Sequence, residues 1–168
     1  MTKIFLIGLP GSGKTTLGKQ LAEKLKIAFV DLDVEIEKQE GKTVQEIFAE
    51  KSEKHFRELE AKKLESLCQE KINFVMATGG GTPSFFDNMA LMNQSGKTIF
   101  LDEPTSEISS RLLKTDLTTR PLFAQLNPEQ VLAKINTLRS QRIDFYIRSR
   151  IVISGNVTLE KILEDLKD

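Results

Sequence analysis

The stretch "KIFLIGLPGSGKTTL", residues 3–17, decides the fold of this chain. An apolar run at 3–7 is followed by a glycine-rich segment at 8–15 that matches G-x-x-x-x-G-K-[ST] at every fixed position. A helical pattern then covers 14–26. The order strand, glycine loop, helix is the context in which this motif cradles phosphate. Three leucines at four-residue spacing are expected to form the buried stripe of the helix: Leu17, Leu21 and Leu25.

Further short apolar runs alternate with helical patterns along the rest of the chain. Four more strands are predicted, at 28–32, 73–77, 97–101 and 150–154. They are continuous apolar runs, which is typical of strands covered on both faces. Helices are predicted from Thr43, where Glu46 completes a capping box, and at 52–69, 128–148 (after Asn127) and 157–167. The alternation predicts one three-layer α/β domain over residues 1–168, with a parallel sheet.

The composition excludes several functional classes. Lys plus Arg and Asp plus Glu both total 24 in 168 residues, so no global field attracts nucleic acid or a membrane surface. A single cysteine, Cys68, cannot form an internal disulfide and suits a reducing compartment. The N-terminal apolar run is too short for a signal peptide or a membrane span. We expect a cytoplasmic monomer without nucleic-acid or membrane partners.

The glycine loop predicts binding of a nucleoside triphosphate with Mg²⁺. Its glycines let backbone N–H groups point at phosphate oxygens, and the following helix directs its positive end at them. Lys14 adds a mobile charge, and the Thr15 hydroxyl can ligate Mg²⁺. The alternative is a chance glycine-rich turn. A GTPase would show N-K-x-D, which is absent, and a motor ATPase needs a longer chain, so the pattern favours a small kinase.

Two further strand ends carry candidate acceptor-site residues. In "DLD", alternation along a strand sends the carboxylates of Asp31 and Asp33 to one side, where one can enter the magnesium shell and the other can bind a substrate hydroxyl. Both could instead cap the next helix. The run "TGGGTP" at 78–83 offers bare backbone to a flat, hydroxyl-rich ring, and a side chain at the central glycine would occupy the substrate's volume. The alternative is a simple helix-entry turn.

Three arginines complete the candidate set. Arg57 lies on the 52–69 helix, where a surface pair with Glu53 is the simpler interpretation. Arg120 lies in "LTTRPLF", a segment that we interpret as a mobile lid. Arg142 lies near the end of the 128–148 helix, where its charge also suits the helix dipole. Residues 104–150 contain eight basic and four acidic side chains, a local excess that attracts anions.

The set of motifs, in order and at similar spacings over nearly the whole chain, resembles shikimate kinase. The motifs are GLPGSGKTT, DLD, HFRELE, TGGG, TRPL and RIDFY. The resemblance implies the nucleoside monophosphate kinase-like fold with a five-stranded parallel sheet. It also implies phosphorylation of the 3-hydroxyl of shikimate by ATP, on the route to chorismate and the aromatic amino acids.

The resemblance also implies a role for each matching residue. Lys14, Asp33 and Arg120 would be catalytic, Thr15 and Asp31 would hold Mg²⁺, the latter in its outer shell, and Glu60 would orient Arg57. Phe48 and Phe56 would form an apolar wall, and Arg111 or Lys114 would pack on adenine. The segment at about 32–60 would bind shikimate, and 112–124 would form the lid. ATP would be bound by Gly11, Ser12, Gly13, Lys14, Thr15, Thr16 and Arg120, and shikimate by Asp33, Arg57, Gly79, Gly80, Gly81 and Arg142.

Two alternatives compete with this interpretation. The first is another small-molecule kinase of the same fold, acting on gluconate or a nucleoside monophosphate, although the GGG run with Arg57 and Arg142 is not expected there. The second is a non-catalytic P-loop module that binds a partner when nucleotide is present. Such a module would be expected to lose Lys14, Asp33 or the arginines, and all are present.

Overall fold

Five strands form one parallel sheet. The computed structural model describes residues 1–167, and its strands are β1 Lys3–Ile7, β2 Ala28–Asp31, β3 Phe74–Ala77, β4 Lys97–Asp102 and β5 Ile151–Ser154. They lie in the order β2-β3-β1-β4-β5, and every neighbouring pair is parallel. All five strands therefore end at one edge of the sheet, where open α/β sheets bind ligands.

Helices cover both faces of this sheet. Within the described range the α-helices are α1 Lys14–Leu25, α2 Leu32–Glu40, α3 Val44–Glu50, α4 Glu53–Gln69, α5 Asn88–Ser95, α6 Thr105–Leu113, α7 Pro128–Tyr146 and α8 Leu159–Asp165. Short 3₁₀ turns occupy Thr82–Ser84 and Leu117–Thr119. Helices α1 and α8 pack on one face, and α2 to α7 contribute to the core on the other. The predicted three-layer architecture with a five-stranded parallel sheet is confirmed.

Burial differs between the central and the edge strands. Strands β1 and β3 are buried along their whole length, as the continuous apolar pattern predicted. The edge strands β2 and β5 are not covered on both faces: β2 is only partly buried, and Val152 in β5 is 44% exposed. Part of an edge strand faces solvent, so it buries less apolar surface than a central strand. The apolar composition of β2 and β5 therefore did not reveal that they lie at the edges of the sheet.

The buried stripe of α1 differs from the predicted one. Leu21 is buried and Leu17 packs against the core, but Leu25 is 37% exposed. A four-residue step advances about 40° more than one helical turn, so a series of such steps drifts off the buried face. Gly18 is buried on this face instead. A β-carbon at this position would lie only 2.7 Å from the Phe29 ring. Helix α1 therefore packs very closely on β2.

Three helices, α2, α5 and α6, were not among the predicted ones. Helix α5 follows a 3₁₀ turn and has no side-chain cap at Asp87, while α6 begins after Pro104, again without a side-chain cap. The predicted capping box at Thr43 is present, and Asn127, the predicted cap of α7, also forms a capping box, with Gln130. No helix among residues 1–167 is both long and apolar enough to cross a membrane.

Candidate active site

The glycine loop joins β1 to α1 and leaves the start of that helix open. Gly13 is the N-cap residue in a left-handed conformation (φ 94°), which glycine adopts without a β-carbon penalty. Since Gly13 has no side chain to cap α1, the first backbone N–H groups of the helix are available to an anion. Lys14 Nζ donates to the carbonyls of Gly8 at 2.9 Å and Leu9 at 2.8 Å, across the same loop. Burial lowers the pKa of Lys14 to about 8, although the nearby Asp33 carboxylate opposes this effect.

Asp31 contacts both the backbone of α2 and the glycine loop. It ends β2 and caps α2, its Oδ1 accepting from the Val34 N–H at 3.4 Å. Its other oxygen, Oδ2, accepts from the Thr15 hydroxyl at 3.2 Å. The same carboxylate therefore caps a helix and faces the glycine loop.

Asp33 reaches the site by a different route from the one predicted. It lies in the first turn of α2 rather than on an extended strand, so strand alternation does not explain its direction. The helix turn nevertheless places Asp33 beside Asp31 in the same cavity. Its Oδ1 is buried and has no hydrogen-bond partner among residues 1–167. Burial, reinforced by the negative charges of Glu60 and Asp31, raises the pKa of Asp33 to about 7.

Arg57 is buried, so the simpler alternative, a surface pair with Glu53, is wrong. The contact with Glu53 exists at 3.4 Å, but the Arg57 side chain is only 8% exposed. Its shorter bond, 2.9 Å, is to the fully buried Glu60, as the resemblance implied. The guanidinium carbon also lies 5.2 Å from the Phe56 ring centre and 4.4 Å from that of Phe85. No local pattern indicated Phe85, because it meets Arg57 only through the tertiary fold.

The glycine run makes room for the protein's own side chains. A β-carbon on Gly81 would lie 2.7 Å from the Arg57 guanidinium carbon. One on Gly80 would lie 2.9 Å from Pro10 Cδ and 3.0 Å from Arg142 Nη1. The loss of substrate volume on adding a side chain to Gly80 stays a prediction, and such a side chain would also meet Pro10 and Arg142. We call the backbone of Gly79–Gly81 the glycine floor.

The remaining arginines come from α7 and the segment before it. Arg142 is buried on α7, and its Nη1 has no hydrogen-bond partner in the described part of the chain. Arg120 follows the 3₁₀ turn Leu117–Thr119 and lines the cavity, and Phe123 anchors the segment in the core. Of the two adenine candidates, Arg111 lines the cavity and is not buried, and it contacts two acidic side chains. Those contacts are to Glu103 and Glu107, each at 3.2 Å.

One cavity of about 560 Å³ brings the predicted residues together. This volume is that of a small-molecule site. All the predicted ATP-, substrate- and metal-binding residues line it except Ser12, whose side chain is buried beneath the loop. Lys114 does not line it either. Several further lining residues lie within the predicted site segments but were not predicted individually, because only the tertiary fold shows which side chains reach the cavity: Glu37, Val44, Thr78, Thr119 and Leu122.

A phosphate loop at the carboxyl edge of a parallel sheet, beside an unpartnered aspartate and two buried arginines, defines a P-loop kinase of small molecules. The shikimate kinase family model matches residues 10–167. A shikimate kinase of Phocaeicola vulgatus is 45% identical over 162 residues, covering 96% of this chain and 91% of the relative. The chain belongs to the shikimate kinase family.

Solved structures agree with this assignment. The crystal structure of shikimate kinase from Bacteroides thetaiotaomicron has a TM-score of 0.92 and 35% identity, and the match covers 99% of each chain. Shikimate kinase from Acinetobacter baumannii in complex with shikimate has a TM-score of 0.89 and 34% identity, covering 99% of this chain and 93% of that one. The predicted nucleoside monophosphate kinase-like P-loop fold is confirmed, and the chain is a phosphotransferase acting on an alcohol.

Proposed function

We propose that this chain transfers the γ-phosphoryl group of ATP to the 3-hydroxyl of shikimate, giving ADP and shikimate 3-phosphate on the route to chorismate and the aromatic amino acids. The observation that carries the proposal is the single cavity that holds Lys14, Asp33, Arg57 and Arg142 together. The family relatives support it, and one of their structures is in complex with shikimate.

The acceptor side of the cavity suits a small hydroxylated acid. Arg57 and Arg142 converge there, and two guanidinium groups can hold one carboxylate. Each charged hydrogen bond contributes about 1.5–3 kcal/mol, so an analogue without the carboxylate binds much more weakly. Phe48 and Phe56, with ring centres 4.9 Å apart, offer an apolar wall in the segment 32–60. The glycine floor presents backbone groups to the ring hydroxyls.

The transfer step needs a proton acceptor and charge neutralisation. The acceptor hydroxyl oxygen bonds to the γ-phosphorus, the bond from that phosphorus to the bridging oxygen breaks, and the hydroxyl proton passes to Asp33. Lys14 and Arg120 offset the negative charge on the transferred group, which is the main demand of phosphoryl transfer on a protein. The lid, residues 112–124, excludes water that would otherwise accept the phosphoryl group. Arg111 packs on the adenine side.

The donor set beside the glycine loop fits Mg²⁺. The Thr15 hydroxyl and Asp31 carboxylate lie within 3.2 Å of one another, and Mg²⁺ prefers such oxygen ligands. Among residues 1–167 no three His, Cys, Asp or Glu side chains form a metal-binding group. We propose that ATP phosphates and water would supply the remaining ligands. When bound, the metal would offset phosphate charge, with Asp31 in its outer shell.

A coupled assay of ADP release across a panel of acceptors tests the proposal. Shikimate with MgATP should give rapid turnover, whereas quinate, gluconate and nucleoside monophosphates should give far less. Comparable turnover of all these acceptors would identify a less selective small-molecule kinase. ATP binding with no turnover of any acceptor would identify a non-catalytic module.

Two further expectations need separate measurements. Sedimentation in the same buffer tests our expectation of a monomer, and fractionation of the native host cells tests a cytoplasmic location.

A further inference from the structure

The carbonyl of Gly80 is held by a side chain that the proposed reaction does not use. Tyr146, the last residue of α7, is fully buried, and its hydroxyl donates to the Gly80 carbonyl oxygen. The Tyr146 ring packs on Phe100 of β4, with the ring centres 5.0 Å apart and the planes tilted by 51°. The phenol is thus fixed by a helix and a strand and bonds to the middle of the glycine floor.

This bond determines the direction of the next backbone N–H. The Gly80–Gly81 peptide is trans, so the Gly81 N–H points opposite to the Gly80 carbonyl. Because Tyr146 holds that carbonyl toward the core, the Gly81 N–H is directed away from Tyr146, on a residue that lines the cavity. No hydrogen bond among residues 1–167 uses the N–H of Gly80 or Gly81 as a donor. Both N–H groups are therefore unpaired within the described residues, and both glycines line the cavity.

We propose that Tyr146 is a positioning residue for the acceptor, which fixes the Gly80–Gly81 peptide so that its free N–H meets a hydroxyl of the acceptor ring. The inference rests on the proposed function, because it assigns the glycine floor to the acceptor rather than to ATP. It concerns selectivity: the arginines recognise the carboxylate, whereas the peptide held by Tyr146 recognises the hydroxylated face of the ring.

The placement of Tyr146 on α7 supports this role. Arg142 lies four residues earlier, so both side chains project from the same face of one helix. A β-carbon on Gly80 would lie 3.0 Å from Arg142 Nη1, so the arginine that we assign to the carboxylate lies close beside the glycine floor. One helix therefore sets both recognition elements relative to each other. A fixed relative position is what a small, rigid acceptor requires.

The phenol remains a donor over the whole working pH range. Burial raises the pKa of Tyr146 to about 12, although the adjacent Arg142 charge acts in the opposite direction. The hydrogen bond to Gly80 is thus independent of pH in any ordinary assay. Removing the hydroxyl should change acceptor recognition without moving the pH profile.

The test is Tyr146→Phe, which removes only the hydroxyl. We expect the shikimate KM to rise by about 3- to 10-fold, which is the size of one net hydrogen bond. The ATP KM and the kcat should stay within about twofold, since the phosphate loop and Asp33 are unaltered, and the pH profile should not move. Thr98→Val is the matched control. It also removes a fully buried hydroxyl, which bonds to Asn93 and Arg150, so it should lower stability without changing either KM.

The outcomes separate this inference from the proposed function. If wild-type protein does not turn over shikimate, the proposed function fails. If wild-type protein is active and Tyr146→Phe leaves the shikimate KM unchanged, or raises both KM values together as a structural defect would, the positioning role is refuted. If Tyr146→Phe yields too little folded protein, Phe100→Leu loosens the ring while keeping the hydroxyl. The same selective rise in shikimate KM is then expected, and an unselective change overturns the proposal.

Discussion

At the scale of single residues, the fold shifts the pKa values of two side chains toward neutrality. Asp33 and Lys14 face each other across the cavity, and burial disfavours the charged form of each. The pKa of Asp33 is raised to about 7, which is close to the pH at which a general base works best. Its unpartnered Oδ1 provides the geometry for that role, so the pKa and the position agree.

Replacement of Asp33 by Asn should abolish most of the activity. General-base catalysis contributes about 100- to 10,000-fold, so the kcat should fall by a factor in that range while ATP affinity stays within about twofold. In wild-type enzyme the ratio kcat/KM for shikimate should decline below about pH 7, where Asp33 becomes protonated. Steady-state kinetics over pH 5.5–8.5 measure both effects. The control is Asp144→Asn, a substitution at an exposed position on α7 that should leave the kinetics unchanged. Wild-type rates in Asp33→Asn would refute the role of Asp33 as general base.

Replacement of Arg142 by Met should weaken acceptor binding selectively. Met fills much of the same volume, but it removes a guanidinium whose Nη1 has no partner among residues 1–167. The loss of one charged hydrogen bond predicts a rise of about 10- to 100-fold in shikimate KM, with little change for ATP. Arg148→Met, at an exposed position just beyond α7, should leave both KM values unchanged. An equal effect of the two substitutions would contradict the assignment.

At the scale of elements, periodicity predicted the regular parts of the fold and failed at its edges. All five strands and the helices α1, α3, α4, α7 and α8 were predicted within a few residues, because apolar runs and caps are local signals. Helices α5 and α6 lacked caps, and the buried stripe of α1 was set by its close contact with Phe29. Contacts between elements cannot be obtained from periodicity within one element.

The segment between α6 and α7 should control the transfer step rather than acceptor binding. Arg120→Ala removes a cavity-lining cation, and the loss of one preorganised group predicts a fall in kcat of about 100-fold or more. The shikimate KM should change little. Thr118→Ala, whose hydrogen bonds stay within its own turn at Asp116, is the control in the same segment. A product-specific assay beside the ADP assay measures hydrolysis to water, and wild-type kcat in Arg120→Ala would exclude its catalytic role.

At the scale of the whole molecule, the carboxyl edge of the sheet concentrates buried charge. Lys14, Arg57, Glu60 and Arg142 are all at most 8% exposed, in a chain whose net charge is zero. Buried charges are expensive even when they are paired. Ligands that pair with them should therefore stabilise the folded protein, and without ligands the site should reduce stability.

The stability of the ligand-free protein should depend on pH through Asp33. Its pKa is about 7 when folded against 3.8 ordinarily, so between these values the folded state binds more protons than the unfolded state. The free energy of unfolding therefore falls as the pH rises from about 4 to 7, because the buried Asp33 carboxyl loses its proton. Above about pH 7 this decrease stays constant. Each pKa unit corresponds to about 1.36 kcal/mol, so the effect amounts to a few kcal/mol.

Urea unfolding of wild type and Asp33→Asn from pH 4 to 8 measures this effect. The variant should gain stability relative to wild type as the pH rises, because Asn cannot ionise. Above pH 8 the lowered pKa of Lys14 acts in the opposite direction: its cost disappears as the pH rises from about 8 to 10.5 in both proteins. A difference in stability that does not change between pH 4 and 7 would show that Asp33 has an ordinary pKa in the folded state.

The sequence by itself determined the phosphate loop, the alternation of strands and helices, and the family to which the chain belongs. These features depend on residue order within short segments, such as the glycines around Lys14. Only the tertiary structure decided that Arg57 is buried against Glu60 and Phe85, that the glycine run makes room for arginines, and that Tyr146 holds Gly80. The physical reason is that burial and contact join residues distant in sequence, and these interactions set the pKa values and orientations on which the chemistry depends.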